Sequence, residues 1–304
     1  MNKGVEIEEL IKTYDKKKVV NNVSISIDKP GVYLLAGPNG SGKTTLLEII
    51  AGLREPDSGE VLINGYKCNT IEAKRDLGFL CQQNSLRKNL KVNEEIKLIK
   101  DIYGIDIDDY EYLKRYNLEQ YYKAKSGNLS GGTKRRLLIA MLLMANQNIV
   151  VLDEPASGLD TNSRDEIWNV ISEYSKDNIV IVSDHYLNQA ALYSDYIYML
   201  NEGKMILEGN MAEIRKSCKG KKLIKVRKQH FEEIESVVKA NCSDYEVRIS
   251  GTIYNIFINS DVDKVTQVLS DKKVSMHDID LEDIYFYHTG KYSNEGDENV
   301  WEEH

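Results

Sequence analysis

The sequence predicts an α/β protein with a mostly parallel sheet and a phosphate-binding loop, followed by a small α+β domain. The glycine-rich run 37–45 directly follows the apolar segment 32–36, and a second apolar segment, 149–152, ends in two acidic residues. Strands of a parallel sheet are buried on both faces, so their sequences are continuous apolar runs. A β-α-β-β-α-β pattern after residue 220 predicts a ferredoxin-like arrangement for the small domain.

The glycine-rich run fits the pattern G-x-x-x-x-G-K-[ST] between a strand and a helix, which is the context that a phosphate-binding loop requires. Glycines let consecutive backbone N–H groups turn inward around an anion. Lys43 is placed to contact the β- and γ-phosphates, and the Thr44 hydroxyl is placed to bind Mg²⁺. We therefore expect the chain to bind a nucleoside triphosphate with Mg²⁺. The predicted binding loop consists of Gly37, Pro38, Asn39, Gly40, Ser41, Gly42, Lys43, Thr44 and Thr45.

Two carboxylates stand at the end of the second apolar strand. Asp153 closes this strand, and its position at the carboxyl end allows it to hold Mg²⁺ through water. Glu154 comes one residue later and points in another direction, because side chains alternate along an extended segment. Glu154 is then free to polarise an attacking water, which predicts it as the general base of a hydrolysis reaction.

A third motif, Leu129-Ser130-Gly131-Gly132-Thr133, precedes an apolar helix. Ser130 is a suitable N-cap, and the two glycines leave N–H groups exposed at a helix start. This motif resembles the signature of the ABC ATPase family, and the family's other motifs follow in the same order over about residues 4–215. The resemblance implies an ABC ATPase core with an antiparallel β subdomain and a helical subdomain. It implies site roles for Tyr14, Gln82, Ser130, Gly131, Gly132, Asp160 and His185.

In the family these residues have distinct roles. Tyr14 stands where an adenine-stacking aromatic is expected, although it could also be an exposed strand tyrosine. Gln82 matches the Q-loop glutamine, a catalytic residue that also binds the metal, and its spacing from the preceding strand favours it over Gln83. Asp160 matches the D-loop and His185 the switch histidine.

Three positions depart from the family pattern. Cys81 replaces the proline that usually precedes the Q-loop glutamine, and Thr133 replaces the usual glutamine of the signature. Asp184 stands where the family more often has threonine or serine, so it adds a negative charge beside His185. None of the three changes removes a catalytic group.

The resemblance implies an ATP-hydrolysing subunit of an ABC transporter. Each ATP would lie between the phosphate loop of one subunit and the signature of a second, so we expect a dimer, most simply a homodimer. Separate integral-membrane permease subunits are expected as partners, because no apolar run approaches the ~20 residues that span a bilayer. The N-terminus has no signal-peptide pattern, which predicts a cytoplasmic protein on the inner face of the membrane.

Composition agrees with this reading. The four cysteines are scattered without metal-ligand spacing, which predicts free thiols. The net charge is −8, so no nucleic-acid partner is expected.

An alternative is a soluble ABC ATPase that acts on ribosomes or DNA. Translation factors of this family resemble two fused cassettes, whereas only one is present here. Chromosome-maintenance members separate the two nucleotide motifs by a long coiled coil, but no sustained heptads lie between Lys43 and Asp153. A further alternative, an inactive regulatory cassette, is disfavoured by the presence of Lys43, Glu154 and His185.

The predicted domains are an ATPase domain at 1–217, with a helical subdomain at about 84–146, an accessory domain at 218–290 and an acidic, disordered tail at 291–304. The segment 281–290 resembles the short terminal helix of ATPases that serve ABC-2-type exporters. That resemblance implies export, and many such exporters carry peptides or antibiotics.

Overall fold

The computed structural model describes residues 4–83, 85–272 and 274–293. It divides into two compact units after Met205, ahead of the boundary after residue 217 that the sequence suggested. Most of the predicted acidic tail, from residue 294 onward, lies outside the described residues. Among the helices that the structure describes, none combines the length and the apolar character needed to cross a membrane.

Unit 1 contains nine of the strands and seven of the helices that the structure describes. In chain order they are β1 (Val5–Tyr14), β2 (Lys17–Ile27), β3 (Gly31–Ala36), α1 (Lys43–Ile50), β4 (Ser58–Ile63), β5 (Tyr66–Lys67), α2 (Ile71–Asp76), β6 (Leu77–Leu80), α3 (Val92–Tyr103), α4 (Asp109–Lys114), α5 (Gly131–Leu143), β7 (Ile149–Asp153), α6 (Thr161–Tyr174), β8 (Ile179–Asp184), α7 (Leu187–Leu192) and β9 (Tyr196–Asn201).

Two sheets enclose α1. The antiparallel sheet has the order β2-β1-β4-β5, and the parallel strands run in the order β9-β3-β8-β7-β6. All five residues of β7 and all six of β8 are buried, as expected for strands covered on both faces. Leu46, Leu47 and Ile50 of α1 belong to an apolar cluster that includes residues of both sheets. The carboxyl ends of β3, β7 and β8 therefore meet at one edge, where open α/β sheets bind ligands.

The helical subdomain, comprising α3, α4 and α5 with two short 3₁₀ turns, has its own apolar core. Val92 and Ile96 of α3 pack in this core with Leu137 of α5. Gly104 ends α3 in the left-handed conformation, with φ of 67°, which glycine adopts without the steric cost of a Cβ. The first residues of α5 form the predicted signature. These contacts fix α5 in the core of the helical subdomain.

Unit 2 contains most of β10 (Lys204–Gly209), in which the division falls, and all of α8 (Met211–Lys216). It continues with β11 (Lys222–Arg227), α9 (Phe231–Asn241), β12 (Tyr245–Ser250), β13 (Ile253–Ile258), α10 (Val262–Leu269), β14 (Ser275–Asp278) and α11 (Leu281–Thr289).

The sheet of unit 2 has the antiparallel order β12-β13-β11-β14, which confirms the ferredoxin-like prediction. The segment predicted as a terminal helix forms α11. Leu281, Ile284, Tyr285 and Phe286 of this helix are each no more than 1% exposed, and the ring of Phe286 stacks against that of Phe257 in β13.

Candidate nucleotide site

The phosphate loop requires glycine at two positions for steric reasons. Gly37 has φ of 150° and Gly42 has φ of 106°. A Cβ on Gly37 would lie 2.4 Å from the carbonyl oxygen of Leu200, and one on Gly42 would lie 2.3 Å from that of Val19. No side chain caps the start of α1 at Gly42, so the first N–H groups of the helix remain available to an anion.

Lys43 and Ser41 give the loop two buried polar groups. The ammonium of Lys43 donates to the carbonyl oxygens of Gly37 at 2.7 Å and Pro38 at 3.0 Å. Burial lowers the pKa of Lys43, against the opposing effect of the nearby carboxylates. Ser41 is 2% exposed, and its hydroxyl is buried without a hydrogen-bond partner. A buried ammonium held by backbone carbonyls and an unsatisfied buried hydroxyl both fit the phosphate groups of ATP.

Oxygen atoms from three elements meet beside the loop. The Thr44 hydroxyl at the start of α1 donates to Oδ1 of Asp153 at 3.3 Å, and the Ser183 hydroxyl of β8 donates to the same oxygen at 2.5 Å. Mg²⁺ binds oxygen ligands such as carboxylates, together with substrate phosphates. The donor set of Thr44 and Asp153 therefore fits Mg²⁺, with Ser183 orienting the carboxylate.

Glu154 directly follows β7 in an unusual backbone conformation, with φ of 46°. Its N–H donates to the carbonyl oxygen of Ser183 at 3.1 Å and to the Ser183 hydroxyl at 3.0 Å. Its Oε2 accepts a hydrogen bond from Nε2 of Gln82 at 2.8 Å and lies 3.7 Å from Nδ1 of His185. The structure thus brings Gln82, Glu154 and His185 together, but the Glu154 carboxylate is engaged by Gln82 and does not stand free.

The acidic residue beside His185 is almost completely buried. Asp184 is 1% exposed, and burial raises its pKa, which favours the neutral carboxyl. Its Oδ1 accepts the N–H of Tyr186 at 2.8 Å. The ring centres of His185 and Tyr186 lie 4.1 Å apart. The guanidinium of Arg164 lies 4.1 Å from the ring centre of the same Tyr186. Oδ1 of Asp184 also lies 4.0 Å from Nδ1 of His185, so Asp184 contacts both the backbone of Tyr186 and the predicted switch histidine.

The signature and the predicted D-loop lie side by side within the chain. The Ser130 hydroxyl accepts the N–H of Thr133 at 3.2 Å and so caps α5 as predicted. Asp160 caps α6 in the same way, because its carboxylate accepts the N–H of Ser163 at 3.0 Å. A Cβ on Gly132 would lie 2.5 Å from the hydroxyl of Ser163, whereas a Cβ on Gly131 would meet nothing within 4 Å.

Tyr14 lies at the end of β1 with cationic neighbours. The Lys12 ammonium is 5.6 Å from the centre of its ring, and the Arg54 guanidinium is 5.4 Å away. Its hydroxyl is buried. The side chain is half-buried, and its adenine-stacking role stays a prediction.

Sequence reasoning missed two residues of this site, Ser183 and Arg135. Ser183 stands two residues before His185 at the carboxyl end of an apolar strand, which predicts its place at the ligand-binding edge of the sheet but does not reveal its partner Asp153. Arg135 lies within the apolar helix that follows the signature, where a buried charge is uncommon. Arg135 is 9% exposed, and its guanidinium donates to carbonyl oxygens at the end of β7.

Known proteins that resemble this chain include ATP-binding proteins of ABC transporters. The model of the family described as "ABC transporter" matches residues 20–157. A lantibiotic transport ATP-binding protein of Streptococcus pyogenes is 32% identical over 67% of this chain and 90% of its own length. A linearmycin resistance ATP-binding protein of Bacillus subtilis is 30% identical over 73% of this chain and 74% of its own.

Two further matches extend this likeness. A Nod factor export ATP-binding protein of Rhizobium etli is 27% identical over 95% of this chain and 94% of its own length. A solved dimeric ATP-binding cassette with bound ADP and Pi has a TM-score of 0.60 and 29% identity, over 68% of this chain and 98% of that one.

Other relatives are much longer than this chain. The chain spans 15% of an ABC transporter A family member of Dictyostelium discoideum and 4% of a human sub-family A member.

Proposed function

The chain belongs to the ABC transporter family and carries an ABC ATPase domain, and we propose that it is the ATP-hydrolysing subunit of a membrane exporter. The observation that carries this proposal is the meeting of Lys43, Thr44, Asp153 and Glu154 at the carboxyl edge of the parallel sheet. Phosphoryl transfer needs such positioning and charge stabilisation more than covalent chemistry.

Each group at this edge of the sheet has its own role in ATP hydrolysis. The N–H groups of the phosphate loop and the Lys43 ammonium hold the β- and γ-phosphates. Thr44 and Asp153 would hold Mg²⁺, which supplies neutralisation of phosphate charge. Glu154 accepts the proton of the attacking water as the new P–O bond forms and the bond to the β-phosphate oxygen breaks. Gln82 and His185 orient the water and the γ-phosphate.

Dimerisation through ATP follows from the two separate anion-binding surfaces of one chain. The N-terminus of α5 presents a second set of N–H groups, and the open space around Gly131 leaves room for a phosphate. The related cassette that was solved with ADP and Pi is dimeric. We infer a homodimer in which the signature of each subunit closes over the nucleotide of the other.

The membrane partner is inferred to be a separate permease, with this subunit peripheral on the cytoplasmic face of the membrane. Its contact surface would be the segment that follows Gln82. Arg87 is held in place, because its guanidinium lies 3.0 Å from the buried carboxylate of Glu95, and its side chain remains 59% exposed. Lys88 and Asn89 are exposed and remain available to a partner.

Export of a peptide or an antibiotic is the proposed activity of the whole assembly. Its support comes from relatives named for lantibiotic transport, linearmycin resistance and Nod factor export. The match to the Nod factor export protein matters most for direction, because it spans nearly all of this chain, including the ferredoxin-like unit.

A gene deletion tests direction and cargo together. The deletion strain is expected to become more sensitive to a panel of peptide and lipophilic toxins. A plasmid copy of the gene should restore resistance, and a copy with Glu154→Gln should not. A strain whose defect is confined to nutrient uptake would contradict export.

A further inference from the structure

Arg135 makes an unusual set of contacts for a charged residue inside an apolar helix. Its Nε donates to the carbonyl oxygen of Pro155 at 3.0 Å. Its Nη2 donates to those of Asp153 at 2.9 Å and Glu154 at 3.2 Å. Its Nη1 donates to that of Cys81 at 3.2 Å, with a longer contact of 3.5 Å to that of Gln82. One side chain of α5 thus joins the end of β7 to the segment that begins at Cys81.

These bonds compensate for the cost of burying a charge. Burial lowers the pKa of Arg135, and the carboxylates of Asp153 and Glu154 act in the opposite direction. A buried charge destabilises a protein unless it is paired or hydrogen-bonded. The planar guanidinium presents its donors in a fixed fork, which a lysine ammonium does not reproduce. The arrangement therefore depends on arginine in particular.

The contacts of Arg135 fall on the backbone around Glu154, which has an unfavourable conformation. Glu154 is held with φ of 46°, a left-handed conformation that is sterically unfavourable for a non-glycine residue. Ser183 binds the N–H of Glu154. Arg135 binds its carbonyl oxygen and those of the residues on either side. The peptide of the candidate general base is thus fixed from both sides.

We propose that Arg135 is a positioning residue for ATP hydrolysis, which aligns the backbone of Glu154 with that of Gln82. Its guanidinium fixes the separation between the two segments that carry the Gln82 amide and the Glu154 carboxylate, which lie 2.8 Å apart. Arg135 contacts neither the phosphate loop nor Lys43 among its hydrogen bonds in the described residues. It therefore controls turnover while leaving nucleotide affinity unchanged. This inference rests on the proposed ATP hydrolysis.

The adjacent Arg136 is a matched control. It lies on the same helix, is also 9% exposed and forms an ion pair with Glu166 of α6. Arg135→Gln, Arg135→Lys and Arg136→Gln would each be made in the full chain. ATP affinity would be measured without Mg²⁺, and kcat would be measured with it. We expect Arg135→Gln to keep the Kd for ATP within about twofold and to lower kcat at least tenfold, with Arg135→Lys in between. Arg136→Gln should keep kcat within about threefold.

A double-mutant comparison separates positioning from general support of the fold. If Arg135 acts through the Gln82–Glu154 alignment, the loss of kcat from Arg135→Gln should shrink at least threefold in a Gln82→Ala background, because interacting sites are not additive. An unchanged kcat in Arg135→Gln, an equal loss in Arg136→Gln, or the same loss in both backgrounds would overturn the proposal. Should Arg135→Gln fail to fold, Arg135→Lys supports the same comparison. A wild-type chain without ATPase activity would instead contradict the proposed function.

Discussion

The side-chain amide of Gln82 donates a hydrogen bond of 2.8 Å to the carboxylate of Glu154. The same carboxylate oxygen lies 3.7 Å from Nδ1 of His185. A general base needs a lone pair directed at the water that it deprotonates. The Gln82 bond occupies only Oε2, and a carboxylate carries acceptor lone pairs on both oxygens, so Oε1 can accept the proton of the attacking water while Gln82 stays in place.

Replacing Glu154 by glutamine should abolish turnover and preserve ATP binding. The substitution keeps the shape of the side chain and removes the proton acceptor, which typically costs about 10²–10⁴ in rate. With slow hydrolysis, the ATP-bound dimer should accumulate. Steady-state ATPase assays and size-exclusion chromatography with ATP would measure both effects.

Glu173→Gln serves as the control for this prediction. Glu173 is an exposed carboxylate of α6 that pairs only with Lys176 among its ion pairs in the described residues. Its replacement should leave turnover unchanged. Wild-type turnover in Glu154→Gln would show that another group accepts the proton.

Replacing Lys43 by alanine should weaken ATP binding itself. Hydrogen bonds that involve a charged group contribute about 1.5–3 kcal/mol each, so loss of one ammonium contact predicts a Kd raised by roughly 10- to 100-fold. Isothermal titration with ATP in the absence of Mg²⁺ measures this directly. Lys176→Ala removes a surface ammonium and should not change the Kd; equal affinities for wild type and Lys43→Ala would rule out the assigned contact.

Much of this site was predictable because its elements have strong local signals. A Cβ at Gly37 or Gly42 would lie within about 2.5 Å of a backbone carbonyl oxygen, so only glycine fits at these two positions. The loop motif in the sequence therefore reflects a steric requirement. The burial of β7 and β8 likewise follows from their apolar runs. The contacts of Arg135 and Ser183 were not predictable, because each joins segments far apart in the chain. The state of Glu154 was missed for the same reason, since alternation along a strand says nothing of Gln82.

Removal of the ferredoxin-like unit should leave ATP binding intact. The proposed phosphate ligands of this chain and the Gln82–Glu154–His185 cluster all lie before residue 206, within unit 1. A chain truncated after Cys218 is therefore expected to bind ATP within about threefold of wild type, as measured by fluorescence of a labelled nucleotide. A truncated protein with a native circular dichroism spectrum but no ATP affinity would contradict this division of roles.

The ion pair between His277 and Asp283 should make the stability of unit 2 depend on pH. A hydrogen bond of 2.8 Å from the imidazole to the buried Asp283 raises the pKa of His277 above its usual 6.5. A base whose pKa is raised by folding stabilises the folded state fully below its unfolded pKa, and this contribution is lost as pH rises through the folded value. Burial and the nearby Asp283 charge raise the pKa of Asp280 to about 6, so ionisation of Asp280 opposes folding as pH rises from its usual 3.8 to about 6, below the range in which the His277 contribution is lost.

We therefore expect the advantage of wild type over His277→Gln to be present at pH 6 and to disappear at high pH. Hydrogen exchange of β11 and β14 amides in the full chain would measure it, because β14 carries His277 and pairs with β11. In Asp283→Asn, an NMR titration should show the pKa of His277 falling toward its usual value, since the carboxylate that favours the imidazolium is gone. Replacement of the exposed Asp271 by asparagine should leave the titration of His277 unchanged. A His277 pKa that does not respond to Asp283→Asn would show that this carboxylate does not set the pH dependence.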